Sequence, residues 1–109
     1  MQVHKVTEEF TVSGQITASD VALIKASGFK TIMCNRPDGE EFGQPSAETI
    51  QKAADEHDLK FIHLPLGRDP ITTELLDEFR DVVNGENDPV FAYCRSGTRC
   101  GILWNASQS

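Results

Sequence analysis

Val90-Phe91-Ala92-Tyr93-Cys94-Arg95-Ser96-Gly97-Thr98-Arg99 is the stretch from which the fold is read. Its first four residues form a short continuous apolar run, the pattern of a central strand covered on both faces. The next six are polar around a single glycine. Ile102, Leu103 and Trp104 beyond them belong to a helix that starts near Thr98 or Arg99. A buried strand, a tight turn and a helix in direct succession are the repeating step of a parallel α/β sheet.

The same alternation extends upstream. Phe10, Val12 and Ile16, at even spacing, predict a short strand or ribbon. Thr17-Ala18-Ser19-Asp20 has the form of a helix cap with an acid three residues on, and Gly28 ends that helix. Residues 29–34 are an apolar, β-prone run. Residues 35–45, rich in Asn, Pro, Asp and Gly, predict a loop. Ser46 caps a helix whose inner stripe is Ile50, Ala53, Ala54 and His57. Residues 61–64 predict a third strand and residues 65–72 a loop. Thr72 caps a helix with Leu75, Leu76, Phe79, Val82 and Val83 on its inner face, and Gly85 ends it.

The expected fold is therefore α/β in three layers: a mostly parallel central sheet with helices on both faces, in one domain over residues 1–109. Such sheets place their sites beyond the carboxyl ends of the strands. That rule singles out the loops 35–45, 65–72 and 94–99. The chain has five arginines, and four of them (Arg36, Arg68, Arg95 and Arg99) fall in those loops, whereas the five lysines do not collect there. Planar, bidentate donors gathered at one rim suit a small oxyanion.

Composition excludes several classes. The formal net charge is -7, with acids concentrated on the expected helices, which argues against nucleic-acid binding. No apolar run approaches the roughly 20 residues of a membrane span. The first ten residues are polar, so no signal peptide is expected and the cytoplasm is the expected compartment. Three cysteines, Cys34, Cys94 and Cys100, do not make a disulfide framework. Without a His or Cys cluster at ligand spacing no metal is expected, and no cofactor is implied.

The chemistry is expected at Cys94. A loop wrapped through Arg95, Ser96, Gly97 and Thr98 converges its backbone N–H groups on one point, and Gly97 supplies the positive φ that the wrap requires. The positive end of the following helix and the Arg99 guanidinium add to this. All of these favour the thiolate, the nucleophilic form, over the thiol. His4, His57 and His63 are read as structural, and Phe79 and Trp104 as core.

Residues 94–99 resemble the active-site loop of rhodanese-type sulfurtransferases, C-R-x-G-x-R, and a shortened form of the tyrosine and dual-specificity phosphatase loop, C-x5-R, with four residues between Cys94 and Arg99 instead of five. Over nearly its whole length the chain resembles the bacterial family named for the phosphatase-like domain of beta-lactamase-hydrolase-like proteins. The resemblance rests on Gly14-Gln15-Ile16, Asn35-Arg36-Pro37-Asp38-Gly39-Glu40, Leu64-Pro65-Leu66 and, most specifically, residues 93–99. It implies a protein-tyrosine-phosphatase-like fold. It also implies a metallo-hydrolase of the persulfide-dioxygenase kind as a functional partner, since family members can be fused to one. Two positions depart from the phosphatase pattern: Tyr93 stands where a His is usual before the cysteine, and Cys100 where Ser or Thr is common after the arginine.

Three functions follow. A ring shortened by one residue suits a single outer sulfur atom, so the leading expectation is sulfur transfer: thiosulfate or a persulfide donates to Cys94, and the Cys94 persulfide passes sulfur to a thiol or cyanide. The alternative is a cysteine-dependent phosphatase acting on a phosphate ester through a Cys94 phosphocysteine, with Asp69 as general acid. The third is an anion-binding module without turnover. In each, Arg95, Ser96, Gly97, Thr98, Arg36 and Arg68 are the candidate binding residues. Cys100 and Cys34 are candidate redox partners of Cys94.

Overall fold

The computed structural model describes residues 2–85 and 88–108. Among these residues five strands form one sheet: β1 (Val3–Thr7), β2 (Phe10–Ser13), β3 (Thr31–Cys34), β4 (Lys60–His63) and β5 (Val90–Tyr93). Four helices, again among the described residues, accompany them: α1 (Asp20–Ala26), α2 (Ala47–Glu56), α3 (Thr73–Gly85) and α4 (Thr98–Ser107). The strand order is β1-β2-β5-β3-β4. Only β1 runs antiparallel, joined to β2 in a hairpin. β5 occupies the centre with all four residues buried, as its continuous apolar run requires.

Alternation along the strands divides the interior into two cores. Ile32, Cys34, Phe91 and Tyr93 face one side and pack under α1 and α2, against Val21, Ile24, Ile50 and Ala54. Met33, Val90, Ala92 and Cys94 face the other and pack under α3 and α4, against Phe79, Cys100 and Leu103. Phe10 joins this second core, stacked on Trp104 with ring centroids 4.7 Å apart. The three layers read from the sequence are therefore present, with two helices on each face.

The caps follow the sequence. The Ser46 hydroxyl accepts from the Thr49 N–H at 3.1 Å and that of Thr72 from the Leu75 N–H at 3.1 Å. At α1 the bond is reversed from the usual cap: Asp20 Oδ2 accepts from the Thr17 N–H at 2.9 Å. β1 has no counterpart in the sequence reading, because its residues are mostly exposed and polar and give no apolar alternation.

Register places the site. Ser13, Tyr93, Cys34 and His63 lie opposite one another across β2, β5, β3 and β4. The four parallel strands thus end level, and the segments that follow them emerge at one rim. The next residues extend the ladder: the Cys94 N–H donates to Ser13 O at 3.2 Å, that of Asn35 to Tyr93 O at 2.8 Å, and that of Leu64 to Cys34 O at 2.9 Å. Among the described residues no helix is long and apolar enough to cross a membrane.

Candidate active site

Cys94 sits at the carboxyl end of β5, buried, at the start of the turn that leads into α4. Gly97, the N-cap residue of α4, has φ +89°. That left-handed conformation lets the chain turn so sharply that the Gly97 N–H donates back to Cys94 Sγ at 3.1 Å. The turn also needs a small neighbour: a Cβ at Gly14 would lie 3.2 Å from Arg95 O. The Gln15 N–H donates to that same carbonyl at 3.3 Å, so the segment after β2 braces the loop.

The thiol of Cys94 is pulled down to about 5 from its ordinary 9.0. The largest cause is a hydrogen bond donated by the Cys100 thiol. Burial opposes it, and the backbone amides of Cys100, Ser96 and Arg99 reinforce it. Cys100 is pushed strongly upward, first by donating to Cys94 and then by burial, and so keeps its proton. The cysteine standing where a hydroxyl residue is common thus lies in the first turn of α4 and in the same core as Cys94.

Arg99 is part-exposed and fully engaged on one edge. Its Nη1 donates to Glu40 Oε2 at 2.8 Å and to Leu66 O at 2.9 Å, and its Nη2 donates to Glu40 Oε1 at 2.8 Å. The Glu40 carboxyl is held down to about 2, chiefly by Arg99 and further by Arg36. Arg95 lies on the exposed outside of the loop, with Nη2 donating to Glu41 Oε2 at 3.1 Å. The Ser96 hydroxyl donates to Thr98 Oγ1 at 3.0 Å, tying the turn to itself.

The other expected residues divide. Arg36 is not at an open rim: its side chain is 1% exposed, with Nε donating to Glu40 Oε1 at 2.9 Å and Nη1 to Gln15 Oε1 at 2.9 Å. It stands behind Glu40 because the loop after β3 turns inward there, where His63 Nε2 lies 3.0 Å from Arg36 O. Arg68 and Asp69 are exposed on the segment after β4, at the correct end of the sheet and outside the hydrogen-bonded cluster. Cys34 and Cys94 lie in opposite cores, as alternation across neighbouring strands requires. Tyr93 is buried in the first core beside Cys34 and faces away from the thiolate. His57 is structural, its Nδ1 2.9 Å from Ala53 O.

The sequence reading passed over Gln15, Glu40 and Glu41 as site residues. The available signal was an adjacent acid pair in a glycine-flanked loop that also carries an arginine, in a chain whose other acids sit mainly on helices. A cavity of about 410 Å³ adjoins the loop at Ser96, Gly97 and Thr98 and runs between His4 and Trp104. Among the described residues no Arg or Lys lines it.

The comparisons with known proteins place the chain in a family. The family model described as beta-lactamase hydrolase-like protein, phosphatase-like domain, matches residues 2–109, and the chain belongs to that family. A beta-lactamase hydrolase-like protein of Agrobacterium fabrum is 34% identical over 104 residues, covering 95% of this chain and 24% of the relative. The chain thus spans about a quarter of the length of the curated relatives it matches. A crystal structure from Neisseria meningitidis, of a protein provisionally assigned as a phosphatase, superposes with a TM-score of 0.86 at 37% identity, covering 95% of this chain and 74% of that one. The core catalytic domain of a PP-IP phosphatase from S. cerevisiae, in complex with citrate, shares the fold at 21% identity and a TM-score of 0.70, over 93% of this chain and 60% of that one. These relatives are phosphatase-like, and the sulfur-transfer expectation gains no support from them. The loop, with four residues between Cys94 and Arg99, turns the Gly97 amide onto Sγ.

Proposed function

We propose that this member of the beta-lactamase hydrolase-like, phosphatase-like family is a cysteine-dependent phosphatase acting on small phosphate monoesters. The observation that carries the reading is the Cys94 thiolate, stabilised by the Cys100 thiol and by loop amides, in a chain whose relatives are phosphatase-like. A thiolate near pH 7 attacks phosphorus in line. The bond from phosphorus to the ester oxygen breaks as the one to sulfur forms. Arg99 and the loop amides take the charge of the equatorial oxygens. Asp69 donates a proton to the leaving oxygen from the loop after β4. Water, giving a proton to the Asp69 carboxylate and so restoring the acid, then attacks phosphorus; the S–P bond breaks, phosphate leaves, and the returning thiolate is received by the Cys100 S–H. The citrate complex of the yeast relative is in keeping with a small anionic ligand.

The test is a side-by-side assay of aryl-phosphate hydrolysis and thiosulfate:cyanide sulfur transfer on the wild type, Cys94→Ser and Asp69→Asn. Hydrolysis is expected in the wild type and abolished in Cys94→Ser. Asp69→Asn is expected to lower it by about 10²–10⁴-fold. Sulfur transfer exceeding hydrolysis in the wild type refutes the proposal. Hydrolysis untouched by Asp69→Asn removes Asp69 from it.

A further inference from the structure

Arg99 has five N–H donors on a rigid plane, and what holds three of them fixes where the other two point. Glu40 takes one from Nη1 and one from Nη2, and Leu66 O takes the second from Nη1. The remaining donors, Nε–H and the second Nη2–H, lie side by side on the opposite flank of the guanidinium. That pair matches two oxygens of a tetrahedral anion. A long flexible side chain does not hold such an orientation unaided, and Glu40 supplies the restraint because it is itself restrained. Its Oε1 accepts from the Nε of buried Arg36, which is braced in turn by the Gln15 side-chain carbonyl. A buried guanidinium stripped of its acid is costly, so Arg36 holds Glu40 in place.

We infer that Glu40, clamped by Arg36, is a positioning residue that occupies the Nη1–Nη2 edge of Arg99 and presents the Nε–Nη2 edge to an oxyanion seated at Cys94. The inference rests on the reading of residues 94–99 as an oxyanion site and adds a chain of three side chains, Gln15, Arg36 and Glu40, to it. A rival view of the same contacts makes Glu40 an internal competitor that holds Arg99 away from the substrate. The two views give opposite signs on removal of the carboxylate.

The experiment compares wild type, Glu40→Gln, Arg99→Ala and the double variant by orthovanadate titration calorimetry and aryl-phosphate kinetics. Loss of orientation at a reacting centre costs up to about 10²-fold. Glu40→Gln is therefore expected to lower kcat more than it raises KM and to weaken vanadate binding in parallel, as vanadate adopts the geometry of the transition state. In the Arg99→Ala background it is expected to change either quantity by less than about twofold. Vanadate bound as tightly or more tightly by Glu40→Gln overturns the inference, and so do losses that add independently of Arg99. Should Glu40→Gln not fold, Glu40→Asp keeps the charge beside Arg36 and shortens its reach; it is expected to lose vanadate affinity, and unchanged affinity overturns the inference. A wild type that binds vanadate but hydrolyses no ester refutes the phosphatase reading while the vanadate comparison still decides the role of Glu40. A wild type that binds no vanadate refutes both.

Discussion

Replacing Cys100 by alanine removes the largest single support of the Cys94 thiolate. The fall of that thiol from 9.0 to about 5 corresponds to roughly 5 kcal/mol of differential interaction, at about 1.36 kcal/mol per pH unit. The sum includes burial, which works against the thiolate, so the hydrogen bonds together supply more than the net. A hydrogen bond to a charged group contributes about 1.5–3 kcal/mol, or about one to two pH units. Cys100→Ala is therefore expected to titrate at about pH 6–7, with the loop amides holding the remainder of the shift. Cys100→Ser keeps a donor and is expected to stay near the wild-type value. The measurement is thiolate ultraviolet absorbance against pH, with Cys94→Ser subtracted, alongside the pH dependence of hydrolysis. Cys94 titrates below its ordinary value, so activity rises as pH climbs through the folded pKa. Cys100→Ala should consequently lose most near about pH 5–6 and least near about pH 8. A wild-type midpoint near 9 would refute the cradle itself. An unchanged midpoint in Cys100→Ala would assign the whole effect to the backbone.

Gly97→Ala places a side chain at φ +89°, a conformation that costs an L-residue about 1–2 kcal/mol. Its Cβ would meet the Ser13 carbonyl carbon at 3.5 Å, an ordinary contact, so a lower Tm and impaired vanadate binding are expected from strain rather than collision. Mild peroxide on the intact chain is expected to remove two hydrogens as a Cys94–Cys100 disulfide, mapped by mass spectrometry; a bridge to Cys34 would contradict its place in the opposite core.

The residues that could be read from the sequence are those whose signal is local. The run 90–93, the capping hydroxyls of Ser46 and Thr72 and the glycine at 97 each act within a few positions of themselves, and each appears where expected. The rule that sites lie beyond the carboxyl ends of parallel strands brought the three loops to one rim without a contact being known. Three things lay beyond that reach. β1 gains its hydrogen bonds from β2 and hides few of its own side chains, so hydrophobic period gives no sign of it. The support that Cys100 lends the Cys94 thiolate depends on the first turn of α4 lying over the strand end. The pairing of Glu40 with Arg99 spans 59 residues, and no local pattern distinguishes it from the solvated acids of the helices.

That pairing also changes what the arginines mean. Read by position alone, four guanidinium groups at one rim of a chain with net charge -7 suggest a positive field that draws anions in. Folded, Arg36 and Arg99 share Glu40, and Arg95 meets Glu41. Two carboxylates thus offset part of the charge of the four guanidinium groups, and a partly cancelled field falls off quickly with distance and is screened further by salt. On the proposed function an anion is recognised on contact, by N–H groups whose directions are set in advance: the Gly97 amide turned toward Cys94 and the one edge of Arg99 that Glu40 leaves open. Recognition of that kind discriminates by shape, favouring a tetrahedral oxyanion small enough to reach the thiolate, and it depends on carboxylates that at first sight oppose it.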